Sequence, residues 1–141
     1  MPEPVFSLPT RIYWEDTDAG GVVYHARYVA FLERARSEWL RTLGYGQDGL
    51  RREHGMVFVV RAMTLDFLRP ARLDDEILVG AALRECRRAS LVFAQDIRRG
   101  GDVLLRAQVR VAAVGAEDFR PQGIAAALYR QLKPLEQPEH A

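Results

Sequence analysis

One stretch of this chain, residues 23–43, carries the strongest periodic pattern. Large apolar residues recur in it at steps of three and four, the spacing of one face of an α-helix; they are Tyr28, Phe31, Leu32, Ala35, Trp39 and Leu43. Its charged residues fall mostly on the other faces, namely Arg27, Arg34, Arg36, Glu38 and Arg41. Gly44 fits the position just beyond a helix C-terminus. The pattern predicts one long helix that buries a single apolar face.

Most of the remaining chain alternates between apolar and polar residues, which is typical of β-strands. Strands are predicted over residues 6–14, 56–68, 77–83, 90–98 and 103–113, and short helices over residues 48–54 and 124–132. Gly100-Gly101 predicts a tight hairpin turn between the last two strands. Consecutive strands with short connections indicate an antiparallel sheet. One long helix against such a sheet gives an α+β fold, with the helix in the concave side of a curved sheet.

Length and composition narrow the class of protein. The 141 residues suit a single domain over residues 1–141, with residues 1–5 and 134–141 expected to be loosely ordered. A net charge of +1 argues against a nucleic-acid binder. Cys86 is the only cysteine, and no metal-ligand spacing surrounds the histidines, so neither a disulfide nor a metal site is predicted. Without a signal peptide or an apolar run of about 18 residues, the expected location is the cytoplasm.

The segment ahead of the long helix, residues 13–25, has the composition of a reactive site. It places three carboxylates and the pair Gly20-Gly21 just before a helix N-terminus. Unpaired N–H groups and the helix dipole favour negative charge there, as in the oxyanion of acyl transfer. Asp18 could attack an acyl carbon or activate a water, and a thioester suits this equipment because a thiolate leaves readily. Ordinary helix capping and turn formation explain the same residues equally simply.

Arg84, Arg87 and Arg88 form a second, basic feature. Guanidinium groups clustered at the start of a strand could bind the phosphates of a nucleotide-bearing substrate. A solvated turn is the alternative interpretation of the same cluster.

Several segments resemble one known family, the YbgC acyl-CoA thioesterases associated with the Tol–Pal system. The resemblance rests on residues 11–25, with the run Asp-Thr-Asp-Ala-Gly-Gly-Val-Val-Tyr-His, and continues through residues 28–36. Residues 58–64, 70–75 and 90–93 are similar to the same family, so the likeness extends over about residues 6–132.

The resemblance implies a hotdog fold, in which an antiparallel five-stranded sheet wraps a long central helix. It also implies that Asp18 is the catalytic carboxylate and that the backbone N–H of His25 polarises the thioester carbonyl. Substrate contacts are implied for Gly20, Gly21, Val22, Val23, Tyr24, Val59, Val60, Arg61, Arg87, Arg88 and Ser90. Ala89 departs from the related 4-hydroxybenzoyl-CoA thioesterases, which have a lysine there. Family members are dimers of hotdog protomers, often paired into tetramers, with the active site at the dimer interface.

The expected activity is therefore hydrolysis of acyl-CoA or acyl-carrier-protein thioesters, with no cofactor beyond the coenzyme A of the substrate. Whether Asp18 acts as nucleophile or as general base stays open. Two alternatives remain, namely an acyl-thioester hydratase that uses His25 and a non-catalytic acyl-binding or scaffold protein. Neither a nucleic acid nor a membrane span is expected.

Overall fold

The structure, a computed structural model, describes residues 6–138. The strands are β1 (Phe6–Arg11), β2 (Met56–Phe67), β3 (Glu76–Cys86), β4 (Ser90–Arg99) and β5 (Asp102–Gly115). The α-helices are α1 (His25–Thr42), α2 (Gln47–His54) and α3 (Ala126–Leu132), and two short 3-10 helices span Trp14–Asp16 and Lys133–Leu135. None of the helices within this described part combines the length and apolar character that crossing a bilayer requires.

The five strands form one sheet in the order β1-β3-β4-β5-β2, and every neighbouring pair is antiparallel. β1 and β2 are the edge strands. The pairing of β2 with β5 shifts register between Val60 and Ala62, which leaves Arg61 as the extra residue of a bulge. This arrangement confirms the predicted α+β fold with an antiparallel five-stranded sheet.

Helix α1 lies against the sheet through two groups of buried side chains. Its first half contributes Tyr28 and Phe31 to a cluster with the beginning of β3 and the end of β4. Its second half contributes Trp39, whose ring meets Phe93 edge-on with centroids 5.3 Å apart. α3 closes this second cluster with Leu128 and Leu132. The predicted apolar face of the long helix is therefore the face that packs on the sheet.

Arg36 differs from its predicted place on the polar faces of the helix. Its residue is only 8% exposed, and its Nη1 donates to Gln95 Oε1 at 2.9 Å. The Gln95 side-chain amide in turn donates to the carbonyls of Leu32 and Gly80 at 3.1 and 3.2 Å. A buried guanidinium is tolerable because this buried amide supplies an acceptor.

The first strand is shorter than predicted, and the C-terminal end of the described chain contacts β3. The first strand stops at Arg11 rather than residue 14, because Trp14–Asp16 turn into a 3-10 helix. Residues 134–137 belong to the C-terminal end that was expected to be loose, and two of them form hydrogen bonds with β3. Gln137 N–H donates to Leu83 O at 2.8 Å, and Glu136 Oε2 accepts the Cys86 N–H at 2.7 Å. The ends expected to be loose at residues 1–5 and 139–141 lie outside the described residues.

Candidate active site

The segment that precedes α1 folds into a small hairpin. Asp18 N–H donates to Val22 O at 2.8 Å, and Thr17 pairs with Val23 in an antiparallel bridge. At its base, Tyr24 N–H donates to Asp16 O at 2.9 Å. The hairpin delivers the chain directly to His25, the first residue of α1. Asp18 is thereby held close to the N-terminus of the long helix.

The carboxylate of Asp18 sits at the turn of this hairpin and is exposed. Its Oδ1 accepts the Gly20 N–H at 2.8 Å, while Oδ2 makes no hydrogen bond within the described residues. A Cβ on Gly20 would lie 3.2 Å from Oδ1, and Gly21 has a φ of +82°, where a side chain is strained. The two glycines therefore allow the turn and leave one carboxylate oxygen available to a substrate.

The N-terminus of α1 offers hydrogen-bond donors beside this carboxylate. Tyr24 is the residue that precedes the helix, and its side chain makes no capping hydrogen bond. The N–H groups of His25 and Ala26 have no partner inside the helix, because both residues belong to its first turn. Together with the helix dipole they favour a negatively charged oxygen at this point.

A cavity of about 280 Å³ opens next to the helix start. It is lined by Val23, His25, Tyr28, Phe67, Leu68, Arg69 and Pro70. The Tyr28 hydroxyl accepts the Ala71 N–H at 3.0 Å, and burial raises the pKa of this phenol. The hydroxyl is therefore protonated at neutral pH. Its hydrogen bond with Ala71 fixes its position relative to the β2–β3 connection.

That connection also holds the hairpin itself. Val23 N–H donates to Ala71 O at 2.9 Å, and Val22 forms an antiparallel bridge with Arg72. The resemblance implied substrate contacts for both valines. In the structure Val23 is buried among the core residues, and both valines anchor the hairpin to the β2–β3 connection.

Val59 and Val60 lie in a second, larger space. They line a groove of about 560 Å³ between the second half of α1 and the beginning of β2. Its walls are mostly apolar, with Leu40, Phe58 and Phe93 among them. Arg61, at the bulge, is exposed and is not among the lining residues.

Arg87, Arg88 and Ser90 stand at the turn between β3 and β4, away from Asp18. The hairpin joins the opposite end of β3, where Ile12 N–H donates to Asp75 O. β3 has 11 residues, so its ends are roughly 30 Å apart at about 3.3 Å per residue. Arg87 is also paired with Glu85. Within a single chain, the basic turn and the carboxylate do not form one site.

Sequence reasoning missed two residues of the site. Asp16 is buried and binds Arg27 through a salt bridge of 2.8 Å, yet it was counted only as one of three acidic residues before the helix. Tyr28 was assigned to the apolar face, and its hydroxyl contact with Ala71 spans 43 residues. The sequence did contain a sign of this salt bridge, because Arg27 follows Asp16 by eleven positions and lies one turn into the predicted helix.

Comparison with known proteins decides the family. The sequence profile of the Thioesterase superfamily matches residues 20–106. The chain belongs to the Thioesterase superfamily. This superfamily member is 46% identical over 116 residues to "Acyl-CoA thioesterase YbgC" of Haemophilus influenzae, covering 82% of this chain and 85% of that one. It is 43% identical over 134 residues to "Acyl-CoA thioester hydrolase YbgC" of Escherichia coli O6:H1, covering 94% and 99%.

A solved structure of this superfamily agrees with the fold. The crystal structure of "Probable Thioesterase from Bartonella henselae" superposes with a TM-score of 0.81 at 36% identity, covering 84% of this chain and 98% of that one. These matches confirm the predicted resemblance to the YbgC family, the hotdog fold and the assignment as a thioester hydrolase.

Proposed function

We propose that this superfamily member hydrolyses acyl-CoA thioesters at the hairpin ahead of α1. The observation that carries the proposal is an exposed carboxylate on the hairpin that leads directly into an uncapped helix N-terminus. The His25 N–H would hold the thioester carbonyl oxygen as it gains negative charge. Asp18, with Oδ2 available, would supply the attacking or proton-accepting group.

Two routes use the same geometry. As a nucleophile, Asp18 Oδ2 bonds to the acyl carbon, the C–S bond breaks, and the thiolate takes a proton from water. A second water then hydrolyses the mixed anhydride and restores the carboxylate. As a general base, Asp18 takes a proton from a water whose oxygen attacks the acyl carbon directly. The C–S bond then breaks, and the leaving thiolate takes that proton from Asp18. A single turnover in oxygen-18 water tests the nucleophilic route, because label enters Asp18 only when water attacks the Asp18 carbonyl of the mixed anhydride.

For the acyl group we propose the groove lined by Val59 and Val60, reached across a dimer interface. The groove is apolar and large enough for a short acyl chain. β2 is an edge strand whose outer side has no partner strand within the described residues, and such edges favour pairing with a second chain. Arg61, at the bulge on this strand, would then face the partner protomer.

The same assembly would explain the basic turn. Because Arg87, Arg88 and Ser90 are far from Asp18 in one protomer, they would contact coenzyme A phosphates only at a site completed by another protomer. We therefore propose a homo-oligomer, a dimer of hotdog protomers that pairs into a tetramer. Sedimentation velocity of the purified chain tests this, and a monomer at assay concentration would contradict it.

The biological setting follows from the resemblance to the YbgC family. We propose a cytoplasmic enzyme connected with the Tol–Pal system, with acyl-carrier protein as the alternative carrier of the acyl group. It needs no cofactor besides the coenzyme A of its substrate. Release of free thiol from short, long and aromatic acyl-CoAs tests the activity, and tight acyl-CoA binding without thiol release would favour a scaffold instead.

A further inference from the structure

Asp16 is a buried carboxylate that the proposed chemistry leaves unused. The residue is 4% exposed, and burying a charged carboxylate is costly unless it is fully paired. Its Oδ1 accepts hydrogen bonds from Arg27 Nε at 3.0 Å and Nη2 at 2.8 Å. Its Oδ2 accepts the Tyr13 N–H at 2.9 Å. Both oxygens are therefore occupied, and Asp16 has no oxygen left for a substrate.

The partners of Asp16 lie on both sides of the hairpin that carries Asp18. Tyr13 precedes the hairpin, and Arg27 is in the first turn of α1. The backbone of Asp16 adds a third link, since its carbonyl accepts the Tyr24 N–H at 2.9 Å. Arg27 N–H also donates to Tyr24 O at 2.8 Å. One residue thus ties the base of the hairpin to the first turn of the helix.

We propose that Asp16, through its ion pair with Arg27, is a positioning residue that holds Asp18 in register with the His25 N–H. The inference rests on the proposed role of Asp18. Two carboxylates two residues apart then have different tasks. Asp16 is buried and fixes the hairpin, while Asp18 is exposed and reacts. A displacement of about 1 Å between reacting groups can lower turnover a hundredfold, so loosening this link should reduce catalysis.

A purely structural role for the pair makes a different prediction. The hairpin lies outside both hydrophobic clusters apart from Val23, and the Arg27 side chain is 30% exposed. Loss of the pair should leave the folded sheet and the groove in place. If the pair positions Asp18, kcat should fall with little change in KM. If the pair only stabilises the fold, its loss should lower the folded fraction and leave kcat per folded molecule unchanged.

The test uses Asp16→Asn and Arg27→Ala, with Arg41→Ala as matched control because Arg41 is exposed and pairs with Glu38 on the same helix. For both test variants, kcat for acyl-CoA hydrolysis should fall roughly 10- to 100-fold at temperatures where circular dichroism shows them folded. Arg41→Ala should behave as wild type. Added guanidinium chloride at millimolar concentration should restore part of the kcat of Arg27→Ala, since the vacated site is open to solvent, and should not help Asp16→Asn.

Wild-type kcat in the folded variants, or a loss that follows only the unfolded fraction, would overturn the positioning role. Asp18→Asn, assayed in parallel, separates this from failure of the proposed function. If Asp18→Asn abolishes turnover while Asp16→Asn does not, only the positioning inference fails. If Asp18→Asn retains full turnover, the proposed catalytic role of Asp18 fails and the positioning inference fails with it.

Discussion

The Ala71 N–H donates a hydrogen bond of 3.0 Å to the hydroxyl of Tyr28, which joins the β2–β3 connection to the first turns of α1. Ala71 is completely buried, and its carbonyl accepts the Val23 N–H of the hairpin. One loop residue therefore contacts both elements of the candidate active site. The contacts of Ala71 therefore fix the hairpin relative to the sheet.

Replacing Tyr28 by Phe should destabilise the protein by about 1–3 kcal/mol, because it leaves the buried Ala71 N–H without an acceptor. Chemical denaturation measures the free energy of unfolding. Tyr45→Phe is the matched control, since no hydrogen bond of its hydroxyl occurs within the described residues. Equal stability of the two variants would show that the Tyr28 hydroxyl contributes nothing.

The role proposed for His25 belongs to its backbone and not to its ring. His25→Ala keeps the N–H and should retain turnover within a fewfold. His25→Pro removes this N–H. The helix should tolerate the change, because proline fits the first helical position and Tyr24 already has the extended backbone that precedes proline (φ −63°, ψ 132°). Its kcat should fall about 10²- to 10³-fold, the usual effect of losing one oxyanion donor.

The opposite pattern would favour the hydratase alternative. Loss of turnover in His25→Ala, together with hydration of an enoyl-CoA by the wild type, would assign the chemistry to the imidazole. His25 lines the cavity beside the helix, where its ring could contact a substrate, so comparing His25→Ala with wild type tests the role of the imidazole.

Gly20→Ala should lower kcat roughly tenfold or more by pushing on the Asp18 carboxylate, because the new Cβ would lie 3.2 Å from Oδ1. Gly101→Ala is its control, since a Cβ there meets nothing within 4 Å and the residue lies in a remote turn. Thiol release under saturating acyl-CoA compares the two variants. Equal kcat values would mean that the orientation of Asp18 does not limit turnover.

Asp75 should make stability depend on acid pH. Burial alone would raise the pKa of Asp75, but the Arg72 N–H and the Arg99 guanidinium outweigh it and hold the pKa below its usual range. A carboxyl with a lowered folded-state pKa stabilises the protein above its unfolded pKa, near 4, and this contribution disappears as the pH falls through the folded value. Asp75→Asn should therefore cost about 1 kcal/mol at pH 7 and progressively less below pH 4.

Urea unfolding of wild type and Asp75→Asn at a series of pH values measures this difference. A gap in unfolding free energy that stays constant between pH 7 and pH 3 would contradict the proposed linkage. A gap that closes only as the pH falls below 4 would support it.

The periodic features of the sequence predicted the fold well because they depend on local spacing. The two-residue alternation located the four strands that follow α1, and the three-to-four spacing located α1 itself. The prediction placed Arg36 on a polar face because its acceptor, Gln95, is 59 residues away. No local pattern reveals such a partner.

The candidate site was predictable only in part. Residues 13–25 form one hairpin and the start of one helix, so residues that are close in the sequence are also close in space. This part of the site could therefore be predicted. Arg87 and Val59 were linked to Asp18 only through the family resemblance, and a single protomer leaves them apart. The proposed contacts between two chains would join residues far apart in the sequence, and no local pattern in the sequence reveals them.

The most direct measurement is thiol release from a panel of acyl-CoAs by wild type, Asp18→Asn and the control Asp118→Asn, an exposed aspartate near the end of β5. Asparagine keeps an oxygen for the Gly20 N–H, so Asp18→Asn should stay folded. The proposed function predicts wild-type turnover for the control and a loss of about 10²- to 10⁴-fold for Asp18→Asn. Unchanged turnover in folded Asp18→Asn would contradict the central role of this carboxylate.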